Sequence, residues 1–544
     1  MMEHKARRSS GNWCRLRNLA MSSTIIKFSS RITPSDPMQK PVLIIGQTKH
    51  LAKIAYTGVK CKLEPRVGEE VYRAAVESLH PSPTDSCSLY LSLATVAALP
   101  SKCSRHNTPS HAHSVTKLVK SLSTGVDESI VIVCEYQDAF ASGCAVARAF
   151  PVYNRKSSIS QQQPQVLPVT VTVEFLLVDG SSGGRSLGDE ELNSIAAAAE
   201  GIQLAAKIVD MPCNEMNTDA FVKEIENVGK VLGLKPTIIR GEELNEKGFG
   251  GMYAVGKAAA HPPAFVVLSH TPEGSQETIA WVGKGIVYDS GGLCIKTKTA
   301  MCGMKRDCGG AAAILGAFYA AVKLGFVHNL HAVFCLAENS IGPHSTRPDD
   351  IITMYSGRTV EVTNTDAEGR LVLGDGVAYA HKDLKANIIL DMATLTGAQG
   401  IATGKYHAAV VTNSADWEEI CTRAGIVSGD LIHAMPFAPE LHFSEFASAL
   451  ADMKNSVADR SNAQPSCAGL FVCSHLGFEY PGAWIHVDMA YPVHCGERAT
   501  GYGVALLVTL FGHFSKNPLL KELAPFSKIS GNDVESATKK MRLI

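Results

Sequence analysis

Residues 278–292 read TIAWVGKGIVYDSGG. An apolar run of this length, closed by a pair of glycines, describes a strand buried on both faces that ends in a tight turn. Two charged residues interrupt it, Lys284 within the run and Asp289 at its end. Similar runs recur downstream as LHAVFCLAEN (330–339), ANIILDMATL (386–395) and AWIHVDMA (483–490), with longer helical segments such as GGAAAILGAFYAAVKLGF (309–326) between them. Apolar strands alternating with helices imply a mostly parallel sheet covered on both faces, an α/β/α layer structure.

Upstream of this region, short apolar runs from PVLIIG (41–46) through SIVIVCEY (129–136) to VEFLLVD (173–179) alternate with helix-like stretches such as HSVTKLVKSL (113–122). They predict a separate α/β domain over 36–187. Within it the polar NRKSSISQQQPQ (154–165) lacks the apolar content to pack and reads as a mobile loop. DEELNSIAAAAEGIQLAAKIVDMP (189–212) has acids at its front, alanines within and Pro212 at its end, the marks of a long helix. The expected organisation is therefore an N-terminal α/β domain, a linker helix over 188–212 and a larger C-terminal domain over 213–544.

The chain has 544 residues, enough for two or three domains and a sheltered site. Its 51 basic and 52 acidic residues nearly cancel, which removes the global field expected of a partner for nucleic acid or an anionic membrane. Fifteen cysteines without a C-x-x-C pair read as reduced, mostly buried thiols. No apolar stretch reaches bilayer length. The first 35 residues, rich in Arg and Ser with Glu3 the one acid before residue 32, read as a disordered tail, an upstream start ahead of Met21, or a mitochondrial-type presequence. The expected location is the cytoplasm, with mitochondrial targeting as the alternative.

In open α/β sheets ligands bind beyond the carboxyl ends of the strands. Three segments expected there carry charge: Lys284 and Asp289 in VGKGIVYDSGG; Asp307 at a helix start in MKRDCGG; and Asp366 and Glu368 after the strand expected in TVEVTNTDAEGR. Each acid alone could be a helix cap. Four carboxylates at adjoining strand ends would repel one another strongly, and divalent cations are the simplest remedy. Oxygen donors suit Mg²⁺, Mn²⁺ and Zn²⁺, and no H-E-x-x-H or Cys/His spacing points to a histidine-built site. Lys284 could be a ligand only if neutral, which burial among metal charges could enforce by depressing its pKa. Lys296 could donate to an oxyanion, and Arg370 offers a planar fork for a carboxylate or carbonate. Salt bridges to the same acids are the simpler reading of each cation taken singly.

GKGIVYDSGG (283–292), MKRDCGGAAA (304–313), AENSIGP (337–343), RPDDIITMYSGRTVEVTNTDAEGRLVL (347–373) and DMATLTGAQ (391–399) together resemble the M17 leucine aminopeptidases, two-metal exopeptidases whose signature is NTDAEGR. The likeness runs from VDMPCNEMN (209–217) to TGYGVALL (500–507). It implies a macro-like N-terminal domain, a hexamer, and two divalent ions, Zn²⁺ and/or Mn²⁺. By this resemblance Lys284, Asp289, Asp307 and Glu368 hold the tighter ion, and Asp289, Asp366 and Glu368 the more exchangeable one. An activated water attacks the first peptide carbonyl, Lys296 stabilises the oxyanion, and Arg370 holds a bicarbonate that serves as base. Met304, Asn364, Leu395 and Gly397 are the implied substrate contacts.

Cys294 and Cys302 depart from the family pattern near Lys296 and Met304, which leaves the side-chain pocket open. Two thiols there could confer oxidation sensitivity, although inert thiols are the simpler expectation. The implied activity is hydrolysis of the N-terminal bond of peptides with a free amino group. The competing readings are a catalytically silent scaffold and a two-metal hydrolase of another ester or amide.

Overall fold

The computed structural model describes residues 24–156, 168–178 and 186–525. The chain forms two compact units that divide within the helix Asp189–Asp210, which is the long helix expected from its alanine-rich sequence. The polar loop expected at 154–165 falls almost wholly outside the described residues, as does the tail up to residue 23.

The first unit is built on a six-stranded sheet. Its order is Ile25–Ser29, Thr170–Leu177, Glu128–Cys134, Val42–Gln47, Ala94–Leu99 and Asp85–Tyr90, parallel except for the last pair. The strand Ile25–Ser29 corrects the tail expected over 1–35. Ile25, Ile26 and Phe28 give it an apolar, β-prone sequence, and it pairs with Thr170–Leu177 as an edge strand. Lys62, from the short helix Lys60–Leu63, and Glu174, on the strand Thr170–Leu177, are both fully buried, 2.6 Å apart, and compensate each other's charge.

The second unit carries an eight-stranded sheet. From one edge it runs Ile432–Ala434, Ala408–Thr412, Ala483–Asp488, Ile388–Ala393, Thr278–Asp289, Asn329–Asn339, Ala264–His270 and Thr237–Arg240. The middle four strands are mutually parallel, and antiparallel strands flank them on both sides. This is the mostly parallel sheet read from the apolar runs, and those middle strands are the ones whose sequences lack polar alternation.

The opening stretch explains how helices close on both faces. Side chains alternate along a strand, so Gly283 and Gly285 face one way and Val282 and Lys284 the other. A Cβ at Gly283 would lie 2.6 Å from the Ala311 Cα, so the helix Gly309–Lys323 packs on that face at backbone distance. On the opposite face the helix Gly369–Lys382 does the same, with Gly376 against Val282 and Gly369 against Lys284. Among the described residues, no helix is long and apolar enough to cross a membrane.

Candidate active site

The strand Thr278–Asp289 carries Lys284 at its centre and ends on Asp289, both 3% exposed. Asn339 is the last residue of the neighbouring strand and stands in register with Asp289. Its Nδ2 donates to Asp289 Oδ1 at 2.8 Å and to the Thr365 carbonyl at 3.0 Å, tying the strand end to the turn that carries Asp366 and Glu368. After Asp289 the chain reverses through Gly291 and Gly292, at φ +87° and +63°, which the paired glycines permit. The reversal brings Lys296 back over Asp289, with Nζ 2.8 Å from Oδ2 and also paired with Asp366 Oδ1.

Asp307 sits near the end of the short 3₁₀ turn Met304–Cys308, ahead of the helix Gly309–Lys323. Lys284 Nζ reaches Asp307 Oδ1 at 2.8 Å, Glu368 Oε1 at 2.9 Å and the Thr394 carbonyl at 3.0 Å. The Thr394 hydroxyl donates to the same Asp307 oxygen at 2.8 Å.

Asp366 and Glu368 are not at the end of a main-sheet strand, as their sequence suggested. The strand there is only Thr359–Glu361, in a separate three-stranded sheet, and the chain then enters a turn. Asn455 captures that turn's backbone: its Oδ1 accepts from the Thr363 and Asn364 amides at 2.9 and 3.2 Å, and its Nδ2 donates to the Asn364 carbonyl at 2.7 Å. Glu368 then immediately precedes the helix Gly369–Lys382, making no side-chain capping bond to it, so its carboxylate is left for the pit.

Oxygens of Asp289, Asp366 and Glu368 can all lie within 4.8 Å of one another. Burial, and then the neighbouring Asp289 charge, push Glu368 up to about 8. Burial likewise raises Asp307 and Asp366 above the usual carboxylate range. The two lysines respond in the other direction. Burial works against their ammonium forms, but the carboxylates outweigh it, Asp307 and Glu368 for Lys284 and Asp289 and Glu368 for Lys296, and hold both above the ordinary lysine value.

Four carboxylates against two ammoniums leave the pit short of positive charge even with every ion pair formed. Asp307 Oδ2 is buried with no hydrogen-bond partner. An oxygen-rich donor set with one amine and a deficit of cations suits divalent ions of the Mg²⁺, Mn²⁺ and Zn²⁺ class.

Arg370 follows Glu368 by two residues, but its side chain runs toward Phe446 and Phe471, with the guanidinium carbon 5.9 and 6.0 Å from their ring centres. Nη1 donates to the Asn455 carbonyl at 3.0 Å, Nε is buried without a partner, and burial brings the group down to about 10. Of the expected substrate contacts, Met304 is half-buried at the start of its 3₁₀ turn. The Asn364 Oδ1 accepts from the Asp366 amide at 2.9 Å. Leu395 is half-buried, and Gly397 is exposed at the start of the helix Gly397–Ala402. Cys294 is half-buried, with its amide donating to the Thr365 hydroxyl, and Cys302 is exposed. None of the fourteen cysteines among the described residues is in a disulfide.

The sequence reading passed over Asn339, Thr365, Thr394 and Asn455. Asn339 and Thr394 lie at or just past the ends of parallel strands, so the strand-end rule applied to polar as well as charged residues would have found them. No local pattern marks Asn455.

A doubly covered α/β sheet with a sheltered, carboxylate-rich pit beyond its parallel strands has the character of a hydrolase that works through divalent cations. Comparison with known proteins makes the class specific. Residues 203–508 match the catalytic domain of the cytosol aminopeptidase family, Peptidase M17, and residues 40–159 match an M17 aminopeptidase N-terminal domain. The human "Probable aminopeptidase NPEPL1" is 60% identical over 528 residues, spanning 96% of this chain and 100% of that protein. The solved leucine aminopeptidase LAP1 of Caenorhabditis elegans superposes with a TM-score of 0.85 at 40% identity, covering 91% of this chain and 100% of that one. The leucyl aminopeptidase of Trypanosoma brucei in complex with bestatin gives 0.79 at 34% identity, with 93% and 98% covered. The chain belongs to the M17 aminopeptidase family and is a metalloexopeptidase.

Proposed function

We propose that residues 213–544 form the catalytic domain of an aminopeptidase that removes the N-terminal residue of peptides with a free amino group. Lys284, Asp289, Asp307 and Glu368 would hold one divalent ion, and Asp289, Asp366 and Glu368 a second, Zn²⁺ or Mn²⁺. Bound there, the ions polarise the scissile carbonyl and activate a water for attack. The observation that carries this reading is the convergence of the Asp289, Asp366 and Glu368 oxygens to within 4.8 Å in a pit where positive charge is short.

Lys296 sits at the mouth of the pit and is more exposed than Lys284, at 13% against 3% of its side chain. A preorganised ammonium there is suited to stabilising the developing oxyanion, a contribution that typically amounts to about a hundred- to a thousandfold in turnover. Arg370 keeps its Nε free of protein partners against an aromatic wall, an arrangement suited to holding a small anion such as bicarbonate as the proton-transfer base. Asp307, with Oδ2 unpartnered, would also receive the substrate's amino group. Met304, Asn364, Leu395 and Gly397 would border the bound peptide. A cytoplasmic hexamer is the assembly and location consistent with this reading.

The test is hydrolysis of a panel of aminoacyl amides by purified protein loaded with Mn²⁺, Zn²⁺ or Mg²⁺. Turnover restricted to substrates with a free amino terminus is expected. No turnover with any metal would leave the chain as a silent scaffold.

A further inference from the structure

Three titratable groups lie buried together beneath the pit. Asp391 is on the strand Ile388–Ala393, and His486 and Asp488 are on Ala483–Asp488. These strands pair in parallel with Asp391 opposite His486 and Ala393 opposite Asp488, so all three side chains emerge on one face of the sheet. Asp391 is fully engaged: Oδ1 lies 2.5 Å from His486 Nδ1, and Oδ2 accepts from Trp484 Nε1 at 2.9 Å. Burial opposes the imidazolium, but Asp391 and Asp488 outweigh it and keep His486 above its ordinary pKa.

Asp488 is bonded differently. Among the described residues neither of its oxygens forms an ion pair; instead they gather three donors from Leu395 and Thr396 and a fourth from Ala490. Oδ1 accepts from the Leu395 amide at 3.0 Å and the Ala490 amide at 3.2 Å. Oδ2 accepts from the Thr396 amide at 3.0 Å and the Thr396 hydroxyl at 2.6 Å. The residue just before that segment is Thr394, which bonds Asp307 through its hydroxyl and Lys284 through its carbonyl. A continuous line of hydrogen bonds therefore runs from Asp488 to two groups of the pit.

We propose that Asp488 is a positioning residue for the catalytic pit: by clamping the Leu395 and Thr396 amides it fixes Thr394, which in turn sets the Asp307 carboxylate and the Lys284 side chain. The inference rests on the reading of the pit as a metal centre. Groups that orient metal ligands without touching the metal typically change affinity or activity by about 10–100-fold when removed. The plainer alternative is that Asp488 only steadies the start of the helix Gly397–Ala402, whose N-cap is Thr396. A cap alone changes stability and leaves the metal affinity of the folded protein as it was.

The experiment compares full-length wild type, Asp488→Asn and Thr396→Val by calorimetric titration with Mn²⁺, thermal denaturation, and kinetics on leucine amide. Asn cannot accept on both sides of its head group, so it turns one donor against the Leu395 or Thr396 amide. For Asp488→Asn we expect one class of Mn²⁺ site about 10–100-fold weaker and kcat lower by a similar factor, with KM changed far less. Thr396→Val removes one of the four bonds and should shift both quantities in the same direction by less. Wild-type Mn²⁺ affinity in a folded Asp488→Asn, with only the thermal midpoint lowered, overturns the proposal. Should Asp488→Asn fail to fold, Thr396→Val decides by the same affinity comparison. A wild type that binds Mn²⁺ but hydrolyses nothing would remove the peptidase reading, while the affinities still decide the role of Asp488.

Discussion

Replacing Gly369 by alanine sets two effects against each other. Gly369 is the first residue of the helix Gly369–Lys382, and alanine there should favour the helix by up to about 1 kcal/mol. The added methyl, however, would lie 2.5 Å from Lys284 Cε and 2.7 Å from Nζ. The end of a lysine side chain ordinarily steps aside at little cost. Lys284 cannot, because it is 3% exposed and its Nζ is held by Asp307, Glu368 and Thr394 at 2.8, 2.9 and 3.0 Å. Restoring van der Waals contact requires a shift of roughly 1 Å, enough to break at least one charge-assisted bond worth about 1.5–3 kcal/mol, in addition to about 1–3 kcal/mol of overpacking. The clash therefore outweighs the helix gain. A displacement of that size at a catalytic group costs about a hundredfold in rate. Gly369→Ala should lower both the thermal midpoint and kcat/KM on leucine amide, with less metal retained after dialysis. A variant at least as stable as wild type, with wild-type rate and metal content, would refute the claim that Lys284 is locked in place.

Glu368→Ala should lose metal by elemental analysis as well as activity, whereas Lys296→Ala should keep its metal and lose about a hundred- to a thousandfold in kcat; full metal occupancy in Glu368→Ala would contradict the ligand assignment. His331, buried at 7% exposure and bonded to Ser269 Oγ at 2.8 Å, is pushed down to about 4 by burial. Because its folded pKa is depressed, the stability it contributes is present above about 6.5 and lost as pH falls toward 4, amounting to about 3 kcal/mol. Thermal denaturation across that window should show a smaller decline for His331→Asn than for wild type. Peroxide should inactivate wild type and Cys294→Ser alike if the half-buried Cys294 thiol is inert, and protection by the substitution would implicate it.

The middle strands of the larger sheet are legible because a strand buried on both faces cannot alternate polar and apolar residues, and TIAWVGKGIVYD and LHAVFCLAEN do not. Asp289 is legible for the same reason, as a charge at the point where such a strand must end. Asp366 and Glu368 are less so. Their place is set by a turn that Asn455 holds from 91 and 88 residues away, through the Asn364 and Ala367 carbonyls, and no local pattern carries a contact of that separation. The strand Ile25–Ser29 was hidden by its neighbours: its three β-prone residues, Ile25, Ile26 and Phe28, lie just after an Arg- and Ser-rich stretch that dominates the composition of the terminus. The direction of the Lys284 shift depends on which groups surround it after folding, and an apolar run does not name Asp307 and Glu368 as its neighbours.

The alternation of Val282, Gly283, Lys284 and Gly285 divides the labour of one strand between odd and even positions. The odd positions set how closely one helix may approach, and the even position 284 delivers an amine to the pit. A substitution at Gly283 would thus be felt first as a wedge under the helix Gly309–Lys323, which leads back through Asp307 to the same pit from the far side of the sheet, whereas one at Gly285 would meet Leu336 of the neighbouring strand before Ala311 of that helix. Two residues with no functional atom of their own are in this way as constrained as the lysine between them.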